Sequence, residues 1–152
     1  MNLVISGSLF ALALAVISGV AMAVQGGMNS ALGKIIGLLE ATFIVHLTAA
    51  ILVGIMIFIL NMGEGGLMRY TSVPWYLWLG GIIGVLITYG VVASIPRVGA
   101  AVATTAIIVG QVTTAMLVDH FGIFGLEKIS MSWVKFLGLG LLAIGARLML
   151  MR

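Results

Sequence analysis

Residues 70–118 read YTSVPWYLWLGGIIGVLITYGVVASIPRVGAAVATTAIIVGQVTTAMLV, and Arg97 is the one charged side chain among them. Each flank of that arginine is long enough to cross a hydrocarbon layer of ~30 Å, which takes about 20 apolar residues in a helix. The same pattern extends in both directions. Met1 to Gly33 carries no charge, and Ala41–Val45 and Leu47–Gly63 are interrupted by His46 alone. Across the chain 62% of residues are hydrophobic and 7% are charged, whereas soluble domains run near a quarter charged. A soluble core can bury one such segment but has no room for four or five. The chain therefore reads as an integral membrane protein.

Backbone polar groups inside lipid must be satisfied within the segment, so the spans are helices. Runs this continuous also lack the alternation of a barrel strand. Five spans are expected, at about residues 3–32, 40–60, 74–95, 98–118 and 132–151. The fold class is an all-α membrane protein, one five-helix transmembrane domain over residues 1–152. Ala21-Met22-Ala23 imitates a signal-peptidase site, but no basic residue precedes it and the apolar run exceeds the usual ~7–15 residues. It is read as part of the first span. Pro96-Arg97 is read as a tight corner between spans three and four, because proline ends one helix and restricts its predecessor.

Composition also excludes functions. There is no cysteine, hence neither a disulfide framework nor a thiolate metal site. The seven bases are scattered, and nucleic-acid binding has nothing to rest on. An intramembrane enzyme would need a nucleophile with its base, or a metal cluster, and the two histidines lie on distant spans. No enzyme, cofactor or metal is expected. The expected partners are the lipid bilayer, a small-molecule substrate and a second copy of the chain.

The second copy follows from charge. Arg69, Lys128 and Lys135 fall on one side of the membrane, against Lys34, Arg97, Arg147 and Arg152 on the other. Loops this short obey the positive-inside rule strongly, yet the bias is almost nil. Trp75, Trp78 and Trp133 all gather at one interface, leaving the other without its aromatic belt. Copies inserted in both orientations would balance the charge and belt both interfaces. Small residues supply a contact. Gly80 and Gly84 form a GxxxG pair suited to close helix packing, and Gly138 with Gly145 marks one face of the fifth span. The latter stripe is the expected dimer contact.

Several short patterns occur in a fixed order. They are Gln25-x-x-x-Asn29-x-x-Leu32-Gly33, Pro96-x-x-Gly99-Ala100-Ala101, Gly110-Gln111, and Asp119-His120-Phe121-Gly122-x-Phe124-Gly125, followed by Gly138 and Gly145. With these, the chain resembles the YdcZ-type family of the drug/metabolite transporter (DMT) superfamily along nearly its full length. The family pattern often has arginine where this chain has Lys135. The resemblance implies a multi-pass protein of the bacterial inner membrane that transports a small metabolite or drug. It also implies one inverted-repeat half of a DMT-type transporter, which needs a partner in the opposite orientation to complete its cavity. An antiparallel homodimer is thus expected on two separate grounds. The alternative is a structural or accessory subunit, for example of a lipid-carrier flippase.

Polar groups inside the membrane are costly and so mark candidate sites. Gln25 and Asn29 share a helix face. Counted at ~1.5 Å per residue from Leu3, Gln25 lies ~33 Å along, and from Ser8 ~25 Å. Thr104 and Gln111 share a face of the fourth span, with Gln111 ~20 Å into it. An amide offers two donors and an acceptor, suited to a polar, weakly charged ligand. His46, ~9 Å inside the second span, can titrate near neutral pH. These five are the substrate-cavity candidates. Asp119 and His120, where the fourth span ends, are candidates for gating or proton coupling. The first span has no acid. The membrane glutamate on which small multidrug resistance proteins rely is therefore missing.

Overall fold

The computed structural model describes residues 2–151, and side-chain environments from residue 7 onward. Arg152 lies outside the described residues. Five long helices carry the described chain: α1 (Asn2–Ile36), α2 (Leu38–Phe58), α3 (Leu79–Val98), α4 (Ala100–Phe121) and α5 (Trp133–Leu150). All five are long and apolar enough to cross a membrane. The expected five-helix, all-α architecture is observed, and its helix ends carry the corrections.

The first concerns the corner between the third and fourth spans. Pro96 and Arg97 lie inside α3, and the chain reverses at Gly99 instead. A proline removes only the bond its own N–H would make. The helix continues past Pro96, and Gly99 N–H still donates to the Ile95 carbonyl at 2.9 Å. What stops the helix is Gly99 at φ 89°, a conformation that favours glycine. Gly99 then opens α4, accepting from Ala103 N–H at 3.0 Å.

Gly37 makes the same joint. It donates to Gly33 at 3.1 Å, accepts from Ala41 at 3.0 Å, and has φ 105°. The expected loop between the first two spans, residues 33–39, thus shrinks to one residue. Both joints lie at one end of the bundle. The opposite end carries longer connections, with 3₁₀ turns at Gly66–Ser72 and Trp75–Trp78 before α3 begins. Ser132 caps α5 at its expected start, accepting from Lys135 N–H at 3.4 Å.

The core sits at the joint end. Ala41, Thr42 and Val92 are almost fully buried, with Asn29, Ser30 and Ala103 close behind. Each of these lies within ~12 Å of Gly37 or Gly99 along its helix, at 1.5 Å per residue. Gly33 allows this closeness, because a Cβ there would overlap Val92 Cγ1. Gly26, two turns earlier, would bring a Cβ within 3.1 Å of Val91 Cγ1. The paired glycines of α1, and not those of α3 or α5, are the ones that seat a neighbouring helix this tightly. Elsewhere large apolar side chains face outward in every helix, as a lipid environment permits. α1 and α3 form the middle, with α2 on one flank and α4 on the other, and α5 packs chiefly on α4.

Candidate functional site

Threonines in helices commonly turn back to bond the carbonyl one turn earlier. Thr42, Thr48, Thr105 and Thr113 do so, at 2.7 to 2.8 Å. The side chains of Thr104 and Gln111 make no hydrogen bond with any other described residue. Both line a cavity of about 110 Å³ enclosed by α1, α3 and α4. Its other walls are Gly19, Met22, Ala23 and Gly26 of α1, with Ile87, Val91 and Ile95 of α3. Small residues on α1 make the space, and branched ones on α3 keep it apolar. Two polar side chains on one helix face, Thr104 half-buried and Gln111 exposed, therefore border a small, otherwise apolar chamber.

Gln111 also stands at the edge of a second space. A groove of about 590 Å³ runs along the far half of α4, lined by Gln111, Thr114, Asp119 and Leu126 among others. Ile107 and Gln111 border both spaces, so the chamber and groove adjoin. Asp119, in the last turn of α4, also lines the groove. Thr114 was legible from its three-residue spacing to Gln111 on α4, whereas nothing in the sequence marks the loop residue Leu126.

The other candidates lie apart. Asn29 is 91% buried by its 9% relative exposure, and it lines a different groove, about 640 Å³, between α1 and α2. Gln25 is exposed on the helix surface beside it. Helix α1 runs unbroken through Gly26 and Gly27 to Ile36, which sets Gln25 ~18 Å along the helix from the Gly37 joint. His46 sits in the α2–α3 seam. Its Nδ1–H donates to the Thr42 carbonyl at 2.9 Å, and Nε2 faces Gly84, 3.7 Å from where a Cβ would stand. It belongs to no described cavity.

His120 forms a contact that spacing alone does not foretell. Its Nδ1 accepts from the backbone N–H of Met131 at 3.3 Å. The neutral ring is then protonated on Nε2. Gly138 and Gly145, on one face of α5, have open space where a side chain would begin, so no described residue presses on that face at either position. Groups of three or more His, Asp or Glu side chains able to hold a metal do not occur among the described residues.

No curated protein and no solved structure matches the chain. A family model described as "Putative inner membrane exporter, YdcZ" matches residues 10–148. With five membrane-crossing helices over the same interval, the chain belongs to the YdcZ family, whose description is that of an inner-membrane exporter.

Proposed function

We propose that the chain exports a small, polar, weakly charged metabolite as an antiparallel homodimer, with Thr104 and Gln111 contacting the substrate. The observation that carries this reading is the chamber between α1, α3 and α4, bordered by two polar side chains that make no hydrogen bond with another described residue. Gln111 is exposed and Thr104 half-buried, so their polar atoms are open to a ligand that exchanges hydrogen bonds with them, each worth about 0.5–1.5 kcal/mol. The chamber alone, at about 110 Å³, falls short of the ~300–1,000 Å³ that ligand sites occupy. The adjoining groove is large enough but open along one side. An inverted second copy laid against α4 and α5 would wall it and extend the site.

The near-balance of bases supports two orientations. Lys34, Arg97 and Arg147 occupy the last turns of α1, α3 and α5. Arg69, Lys128 and Lys135 lie at the opposite end. A single cysteine at Met68, which is 86% exposed, reports orientation cleanly because the chain has no cysteine of its own. We expect impermeant maleimide to label one part of the population from each side. Labelling from one side only would refute dual topology. Two added lysines in one set of loops should lock the orientation.

The dimer contact is assigned to the open face of α5. A Cβ at Gly138 or Gly145 meets no described atom within 4 Å, and replacing glycine by leucine there raises helix propensity by up to about 1 kcal/mol at each position. The monomer should keep its helix content by circular dichroism while the dimer weakens markedly in a dilution series. A double variant that crosslinks at wild-type dilution would move the interface to another helix.

A further inference from the structure

The connection between α4 and α5 is folded back on α4. Gly122 closes the helix at φ 62°, and Phe124 and Gly125 follow in the same left-handed region, at φ 64° and 79°. For a bulky residue such as Phe124 this backbone is disfavoured. Two bonds hold the loop in place. Ile129 N–H donates to the Asp119 carbonyl at 2.8 Å, and Met131 N–H donates to His120 Nδ1 at 3.3 Å. Between the strained turn and these bonds lies Leu126, whose side chain helps to line the groove that contains Gln111.

A histidine ring can accept a bond at Nδ1 only while that nitrogen carries no proton. Histidine also changes charge between about pH 5 and 8. Once protonated, Nδ1–H and Met131 N–H are two donors facing each other. The strained turn then works against one remaining bond. We propose that residues 122–131 are a lid on the α4 groove, latched by neutral His120 and released when its ring takes up a proton. The protonated ring has other acceptors within reach, since it stands in the last turn of α4, where carbonyls carry partial negative charge. The charged groups nearest it in the chain are Asp119 on α4, Glu127 and Lys128 in the loop, and Lys135 in the first turn of α5. As regulation, the lid rests on the export reading of the groove, but its motion is measurable without transport.

A spin label at Ile129→Cys reads the loop between its two bonds, because the Ile129 side chain is 48% exposed and only its backbone takes part. In liposomes, the wild-type background should give an immobilised spectrum at about pH 8. A mobile component should then grow along a one-proton titration towards about pH 5. His120→Asn keeps an acceptor where Nδ1 stood, so its spectrum should stay immobilised throughout. His120→Leu removes the acceptor and should be mobile throughout. A wild-type spectrum unchanged across this range would overturn the lid. So would a His120→Asn variant that responds like wild type, since the carboxylates would then carry the response. A His120→Leu variant immobilised at both ends would equally overturn it. If transport proved independent of Gln111, the export reading would fail while these spectra stood.

Discussion

Gln111→Leu should lower export at least about tenfold and leave the fold untouched. The reason lies in what the amide does not do. It bonds to no other described residue, so its loss removes nothing from helix packing. An interhelical bond in a membrane protein is worth ~0.6 kcal/mol on average, and here even that is not at stake. Leucine has a similar reach, keeps the chamber filled and is cheaper in an oily wall. Stability in detergent should therefore stay the same or rise slightly. Export depends on the two donors and the acceptor that leucine lacks. One lost hydrogen bond of about 1.4 kcal/mol at a rate-limiting step is worth a factor of ten. Thr104→Val should act in the same direction, more weakly, since it removes one hydroxyl. The assay is proteoliposome transport across a metabolite panel, read by solid-supported electrophysiology. Wild-type export by the leucine variant would remove Gln111 from the site.

Gly33→Leu should be the most destabilising single change in the bundle. Even a Cβ at this position overlaps Val92 Cγ1 and comes within 3.8 Å of the Ala41 methyl. Val92 and Ala41 have no exposed surface, and a β-branched side chain in a helix has one strongly preferred rotamer. Neither neighbour can step aside, so α1 must move away from α3 where the core is tightest. Overpacking of this kind costs about 1–3 kcal/mol and sometimes more, which exceeds the ~1 kcal/mol gained by replacing a helical glycine. The thermal midpoint in detergent should fall accordingly. Gly27→Ala is the matched control, because a Cβ there meets nothing within 4 Å, and it should be neutral or stabilising. Val92→Ala removes the obstructing methyl and should recover part of the loss in Gly33→Ala. Additive effects in that double variant would show that the two residues do not press on one another.

Part of the candidate site was already visible in residue spacing. Thr104 and Gln111 were paired by their seven-residue interval, and the structure sets both in one chamber. The same reasoning joined Gln25 to Asn29, yet one is exposed and the other is buried in the α1–α2 groove. Spacing says which residues share a face of a helix. It does not say how near the adjacent helix comes at each level. His46 illustrates the point, since its depth marked it as a cavity residue while Gly84 left room for it in a helix seam.

The amino-acid sequence by itself determined the solvent of this protein, the number of its crossings, and the sides on which its charges emerge. Those properties follow from uncharged length against the thickness of the hydrocarbon, and no contact between helices can alter them. Where the helices stop was decided otherwise. Gly37 lies in the expected 33–39 connection and Gly99 two residues beyond the expected Pro96-Arg97 corner, yet the sequence does not say which residue of each stretch makes the turn. They become joints because α1 packs tightly on α3 near them and the chain has to reverse there, which a positive φ permits. Which face of each helix turns inward was also settled only by packing. In lipid nearly every face is apolar, so hydrophobicity does not separate core from surface, and close approach at small residues does. The chamber that holds Thr104 and Gln111 is therefore a product of tertiary structure. It exists because Gly26 and Gly33 bring α1 against α3, leaving room between them and α4 where Gly19 and Ala23 are too small to fill it.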